Sequence, residues 1–220
     1  FTETFAAIGC AEYYIATGDI EVWHRAEKYF NIAHRLYEEA LARVASENPP
    51  VPETKALGPS MIMLATAQVL RKVEKEKYDA IAKRCADEIL VHFIEGKGLL
   101  ENVSLDGKFV DTPSGREVNP GHSLEAAWFI MAEGIVTGNE EAINVAKDII
   151  DFTLPLGWDE KNGGIIAFTD LKGKPPVQLE WDMKLWWPQC EAMIAFRMAY
   201  MLFGEEKYLK LYEEFKEYCE

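Results

Sequence analysis

The sequence predicts an all-α protein made of stacked helical hairpins. Apolar residues recur at helical spacing through nearly the whole chain, and the breaks between helices repeat at roughly sixty residues. Three of those breaks also share one form: Thr17-Gly18-Asp19, Thr137-Gly138-Asn139 and Phe203-Gly204-Glu205. In each, Gly can take the left-handed position that ends one helix, and a polar residue can cap or lead the next. A fourth break, without Gly, falls near Glu74. By subtraction, Gly18, Glu74, Gly138 and Gly204 lie 56, 64 and 66 residues apart. Helix pairs that cannot bury their faces alone must stack, as a solenoid or a closed toroid.

The first helix is expected to carry Phe5, Ile8, Tyr13 and Ile15. The second carries a stripe of Val22, Ala26, Tyr29, Phe30, Ala33 and Leu36, ending near Ser46. Asn48 to Pro52, with three prolines, marks a loop. Further helices are expected from Ser60 to Val73, Lys77 to Phe93, Pro120 to Thr137, Glu140 to Leu154, Lys184 to Phe203 and Glu205 to Glu220. Between them, residues 98–110 alternate around Asp106-Gly107, a short hairpin signal, and residues 163–174 suggest a second small β-element. Four hairpins are too few to close a ring, Phe1 is not a start residue, and the last helix reaches Glu220 without a stop signal. The expectation is an incomplete piece of a longer barrel.

Composition narrows the function. With 49% hydrophobic and 27% charged residues in 220, the chain reads as a soluble globular protein of one large domain or two small ones. No stretch has the ~18 apolar residues of a membrane span, and no signal peptide is evident. A net charge of −14 argues against nucleic acid and anionic membranes, though not against a neutral sugar. Cys10, Cys85, Cys190 and Cys219 sit singly, without metal-ligand spacing, and read as buried free thiols suited to a reducing cytoplasm.

The run Gly115-Arg-Glu-Val-Asn-Pro-Gly-His-Ser-Leu-Glu-Ala-Ala-Trp-Phe129 carries the chemistry. Asn119 fits an N-cap, and Pro120 fits the first helical position, where a missing N–H costs nothing. His122 and Glu125 then lie at i and i+3 on one face, with Trp128 three residues on. The helix dipole disfavours the imidazolium, whereas a nearby carboxylate favours it and orients the ring, which makes a proton-transfer group near neutral pH. The same pair also fits a capping-region His matched with Glu for structure alone.

This run resembles the N-acylglucosamine 2-epimerase (renin-binding protein) family. So do Leu100-Glu-Asn-Val-Ser104, Gly157-Trp-Asp159, Gly163-Gly164 and Leu179-Glu-Trp-Asp-Met-Lys-Leu-Trp-Trp-Pro-Gln-Cys-Glu-Ala-Met-Ile-Ala195. The resemblance spans essentially the whole chain, in order and spacing. It implies an (α/α)6 barrel domain over residues 1–220, the central and C-terminal part of a longer domain. It further implies a cytoplasmic, often dimeric enzyme that interconverts N-acetylglucosamine and N-acetylmannosamine without metal or redox cofactor, with ATP an effector in some members. The implied mechanism opens the ring and moves the C2 proton between two histidines. His122 matches the first of these, and the second is expected beyond Glu220.

Among the remaining candidates, Trp186 to Gln189 offer indole faces and an amide for a sugar. Trp187 and Gln189 are assigned to the cavity, and Trp186 to the core. Glu101, Asn102 and Arg116 either face the pocket or stay solvated. Glu191 reads as a partner behind the site. His24, His34 and His92 read as unpaired structural residues, and Met61 and Met63 as core or acyl-pocket lining. Alternative activities are an epimerase or aldose–ketose isomerase of unacylated sugars, or a non-catalytic sugar-binding protein.

Overall fold

A computed structural model describes residues 1–44 and 53–220, which fall into two compact units, Phe1–Ile89 and Leu90–Glu220. The expected loop at Asn48 to Pro52 and the helix end near Ser46 lie outside the described residues.

The first unit holds α1 (Thr2–Thr17), α2 (Ile20–Val44), a short strand β1 (Thr54–Ala56), α3 (Gly58–Leu70) and most of α4 (Lys75–Val91). Gly18 sits at φ 74° and donates its N–H to Tyr14 O at 2.7 Å, while Asp19 Oδ1 accepts from Glu21 N at 3.1 Å. The chain therefore folds back within two residues, and α1 packs along α2. The two odd-numbered helices are apolar almost all round and pack on each other. The even-numbered ones are amphipathic and bury only one stripe. On α2 that stripe is Trp23, Ala26, Phe30, Ala33 and Tyr37, one position beyond the expected Val22 and Leu36; Leu36 is exposed. Its rings meet Tyr78 of α4, with Phe30 edge-on at 4.9 Å. Ion pairs Lys77–Glu27 and Arg84–Glu38 tie the outer faces of α4 and α2.

On α1 the expected stripe is corrected. Phe5, Tyr13 and Ile15 are exposed, and Thr4, Ala7 and Ala11 are buried instead. A helix that is apolar all round gives no periodic cue to its packed face, and small residues allow the closest approach. Met61 and Met63 are core. The break before Glu74 needs no Gly, because the amides of Val73 and Glu74 both donate to Leu70 O, at 3.0 and 3.1 Å.

The second unit repeats the scheme with α5 (Pro120–Thr137), α6 (Glu140–Gly157), α7 (Trp186–Phe203) and α8 (Glu206–Cys219); apolar α5 packs on apolar α7. Gly138 and Gly204 are left-handed like Gly18 (φ 69° and 67°), so the three Gly-centred joints share one geometry. The long links carry short strands: β2 (Phe93–Ile94), β3 (Gly98–Leu99), β4 (Asn102–Ser104), β5 (Glu117–Val118) and β6 (Thr169–Asp170). β2 pairs antiparallel with β3, and β5 with β6 through Glu117↔Asp170 and Val118↔Thr169.

The hairpin expected around Asp106-Gly107 is only half made. The turn is present: Ser104 N donates to Lys108 O and Gly107 N to Ser104 O, both at 2.9 Å. No return strand follows, because Phe109 turns inward against Leu100, Val103 and Val118. Burying that ring overrides the alternation. Helix ends fall within three residues of expectation. Lys184 and Leu185 precede α7 rather than open it, and the Lys184 ammonium is bound to Asp159 at 2.5 Å.

Two smaller corrections concern titratable side chains. Of the four free cysteines only Cys85 is buried, and Cys219 is exposed. His34 is not isolated: its ring stacks on Phe30 at 5.5 Å, and Nε2 lies 3.0 Å from Glu38 without forming a hydrogen bond, while burial and the Arg84 charge hold its pKa below the ordinary value. His92 is buried with Nδ1 2.9 Å from Leu100 O, a structural contact as expected.

Candidate functional site

The site grows from the first turn of α5. Asn119, in extended conformation, accepts the His122 N–H on its side-chain oxygen at 3.0 Å, and Pro120 follows at the first helical position. That cap fixes where His122 leaves the helix. Its ring then has two neighbours from other elements. Glu101, on the link between β3 and β4, places Oε1 3.0 Å from Nδ1, and Trp187, at the start of α7, lies 5.3 Å away at a tilt of 33°. Among the described residues, Nε2 makes no hydrogen bond. Gly121 makes the Trp187 contact possible, since a Cβ there would sit 2.6 Å from the indole.

The sequence pointed to Glu125 as the carboxylate that orients His122, and the structure corrects this: Glu101 is the one in contact. Glu125 stands instead beside Glu191 of α7, which accepts the Trp128 indole N–H at 2.7 Å. Burial and the Glu191 charge push the Glu125 carboxyl up to about 7, with Glu101 adding to the rise and His122 opposing it. Burial also raises Glu191, against the pull of the Trp128 hydrogen bond. Burial by itself lowers the His122 pKa. The Glu101 hydrogen bond and charge, with Glu125 behind them, outweigh that and hold it above its ordinary value.

Glu125 makes stability depend on pH. Its folded pKa is raised, so the folded chain binds the extra proton between roughly pH 4.5 and 7 and loses stability as pH rises through that window. Glu125→Gln removes the charge and should raise the melting temperature at pH 8 by on the order of 2–4 °C, with no gain at pH 5. Thermal melts at the two pH values check this, and an equal shift at both would exclude it.

Two expected sugar ligands, Gln189 and Arg116, are committed to the protein itself, and a third, Asn102, is engaged through one amide N–H. Gln189 is buried and grips one residue: Oε1 accepts from Ile165 N and Nε2 donates to Ile165 O, both at 2.9 Å, and Nε2 also donates to Leu185 O. Buried backbone groups of an irregular loop need partners, and a primary amide supplies a donor and an acceptor together. Arg116 is buried between Asp170 (Nε to Oδ2, 2.9 Å) and Asp111 (Nη1 to Oδ1, 3.1 Å), so it is a clamp and not a solvated or sugar-facing residue. Asn102 donates to Ser114 O at 3.3 Å, bracing the turn before β5. The Trp128 ring remains near the site, but its N–H is committed to Glu191. Trp186, expected in the core, is 78% exposed.

Sequence reasoning missed the pairings Glu101–His122 and Glu191–Trp128. Each joins residues on separate elements, 21 and 63 positions apart, which helical spacing cannot reveal. The local signal was present only in the residue types.

A family model described as N-acylglucosamine 2-epimerase (GlcNAc 2-epimerase) matches residues 1–220. The chain belongs to the N-acylglucosamine 2-epimerase family. It is 38% identical to the human N-acylglucosamine 2-epimerase over 99% of its own length and 52% of that protein. It is 35% identical to the bovine one over 99% and 53%. The chain thus spans about half the length of these curated relatives. The structure is similar to that of cellobiose 2-epimerase from Bacillus thermoamylovorans (TM-score 0.75, 20% identity, 98% of this chain and 58% of that one), a likeness of fold. The cluster of His122, Glu101, Trp187 and Glu125 lies inside the residues matched to the N-acylglucosamine 2-epimerase family.

Proposed function

We propose that the chain supplies one proton-transfer group of a sugar 2-epimerase that interconverts N-acetylglucosamine and N-acetylmannosamine. Family membership supports the substrate class. The observation that carries the mechanism is His122 itself, held by Glu101 on one nitrogen and by Trp187 on its face, with Nε2 unengaged. In the ring-opened sugar the C2 proton is acidified by the C1 aldehyde. His122 Nε2 takes that proton, the C2–H electron pair moves into C1–C2, and negative charge develops on O1. Return of a proton to the opposite face of C2, from a second group, inverts the centre. Acid–base chemistry completes this cycle without metal or redox cofactor. Glu125, when protonated, can hold or relay a proton beside His122. The reading extends to a cytoplasmic enzyme, for which the free cysteines are suited, and to a homodimer.

The test is an NMR assay of the full-length protein with N-acetylmannosamine in heavy water. N-acetylglucosamine should appear carrying deuterium at C2. Turnover without deuterium at C2 would exclude removal of that proton to an exchangeable group, and no turnover would remove the epimerase reading.

A further inference from the structure

We infer that Glu101 is a positioning residue that holds His122 as the Nδ1–H tautomer and so dedicates Nε2 to proton transfer. This rests on the proposed role of His122, but the contact can be tested independently of it.

An ionised carboxylate only accepts hydrogen bonds, so a Glu101 oxygen 3.0 Å from Nδ1 requires the proton to be on Nδ1. A free histidine side chain prefers its neutral proton on Nε2, which would leave the exposed nitrogen a donor and useless as a base. Glu101 reverses that preference. When Nε2 takes a proton, the same carboxylate faces the imidazolium and stabilises it, as the orienting carboxylate of a catalytic triad does. His122 and Glu101 are both partly shielded from water, with side chains 32% and 15% exposed, so the interaction is less screened than a surface pair.

Glu101 is also held rigidly enough for the task. Its own N–H donates to Glu117 O at 3.1 Å, at the β5 strand that pairs with β6. Its neighbours Leu100 and Val103 are fully buried with Val118, and Asn102 is tied to Ser114. Trp187 limits rotation of the imidazole from the opposite element. Among the described residues, the charged groups facing His122 are Glu101 and, from its own helix, Glu125. Glu191 of α7 acts on Glu125, and Glu117, bound by Gln178 at 2.8 Å, stands behind Glu101.

The experiment is two-bond 1H–15N NMR of the imidazoles in full-length protein labelled with 15N-histidine, the His122 signals being identified by their loss in His122→Asn. Above its titration, His122 in the unmutated protein should show a protonated Nδ1 and a bare Nε2. In Glu101→Ala the proton should move toward Nε2 and the His122 titration should fall to lower pH; Glu101→Gln, nearly isosteric, guards against a folding defect and should lower the titration too. In turnover, both variants should lose about 10–100-fold in kcat with little change in KM, and the acid limb of the pH profile should move down with the titration. An Nε2–H tautomer in the unmutated protein, or tautomer and titration unmoved in both variants, overturns the inference. A protein that keeps the Nδ1–H tautomer but does not epimerise would overturn the proposed function and leave the Glu101 contact standing.

Discussion

His122→Ala in the full-length protein should cut epimerase turnover by ~10²–10⁴-fold while leaving the fold and sugar binding largely intact. A C2–H beside an aldehyde is too weakly acidic to be lost quickly without a positioned base, and Nε2 of His122 is the base offered. The fold should survive because the ring is only partly buried, its helix start is capped by Asn119 acting on the His122 backbone, and that bond persists in the variant. His122→Asn keeps hydrogen-bonding ability but cannot take the proton, so it should be nearly as damaging. Glu125→Gln should cost less, because it removes a charge near His122 and not the base itself. Rates from progress curves, with circular dichroism to confirm folding, decide the matter. Full activity in His122→Ala, with deuterium still entering C2, would assign the base to another residue.

What the sequence made legible depended on how locally each feature is determined. The joints at Gly18, Gly138 and Gly204 could be read because a left-handed residue ending a helix is a property of a few adjacent residues. The position of His122 could be read for the same reason, since Asn119 and Pro120 set the helix start by themselves. The packed face of α1 is not legible locally: both faces of that helix are apolar, and which one is buried depends on where α2 and α3 lie. The polar residues were the hardest. Gln189, Arg116 and Asn102 have side chains that suit a sugar hydroxyl as well as they suit a backbone carbonyl or a carboxylate. Only the approach of residue 165, of Asp170 and of Ser114 decides between these uses. Glu101 shows the converse case, in which a residue of uncertain direction becomes the direct partner of the histidine because β5 and α5 bring the two together.

The Arg116 clamp yields the largest expected effect on stability. Asp170→Ala takes the shielded, nearer partner from the guanidinium and leaves it only the half-exposed Asp111, and losing a charged hydrogen bond of this kind costs about 1.5–3 kcal/mol. For a chain of this size that corresponds to a fall in melting temperature of roughly 3–12 °C. Burial decides which of the two acidic partners matters. Asp170 is 3% exposed and close to Nε, whereas Asp111 is 52% exposed and shares itself with Lys172. Water can replace Asp111 but cannot easily reach the place of Asp170, so Asp111→Ala should lower the melting temperature far less. Asp170→Asn, which retains an acceptor without the charge, should fall between them. The loss should also reach the site. Asp170 pairs with Glu117 across the β5–β6 ladder, and the Glu117 carbonyl holds the Glu101 amide. Loosening that ladder should let Glu101 drift from His122, so Asp170→Ala assayed well below its melting temperature should also lose turnover, with the His122 titration moved toward lower pH. A melting temperature within a degree or two of the unmutated protein would show that the guanidinium finds water or another acceptor, and that the clamp is not what holds β5 to β6.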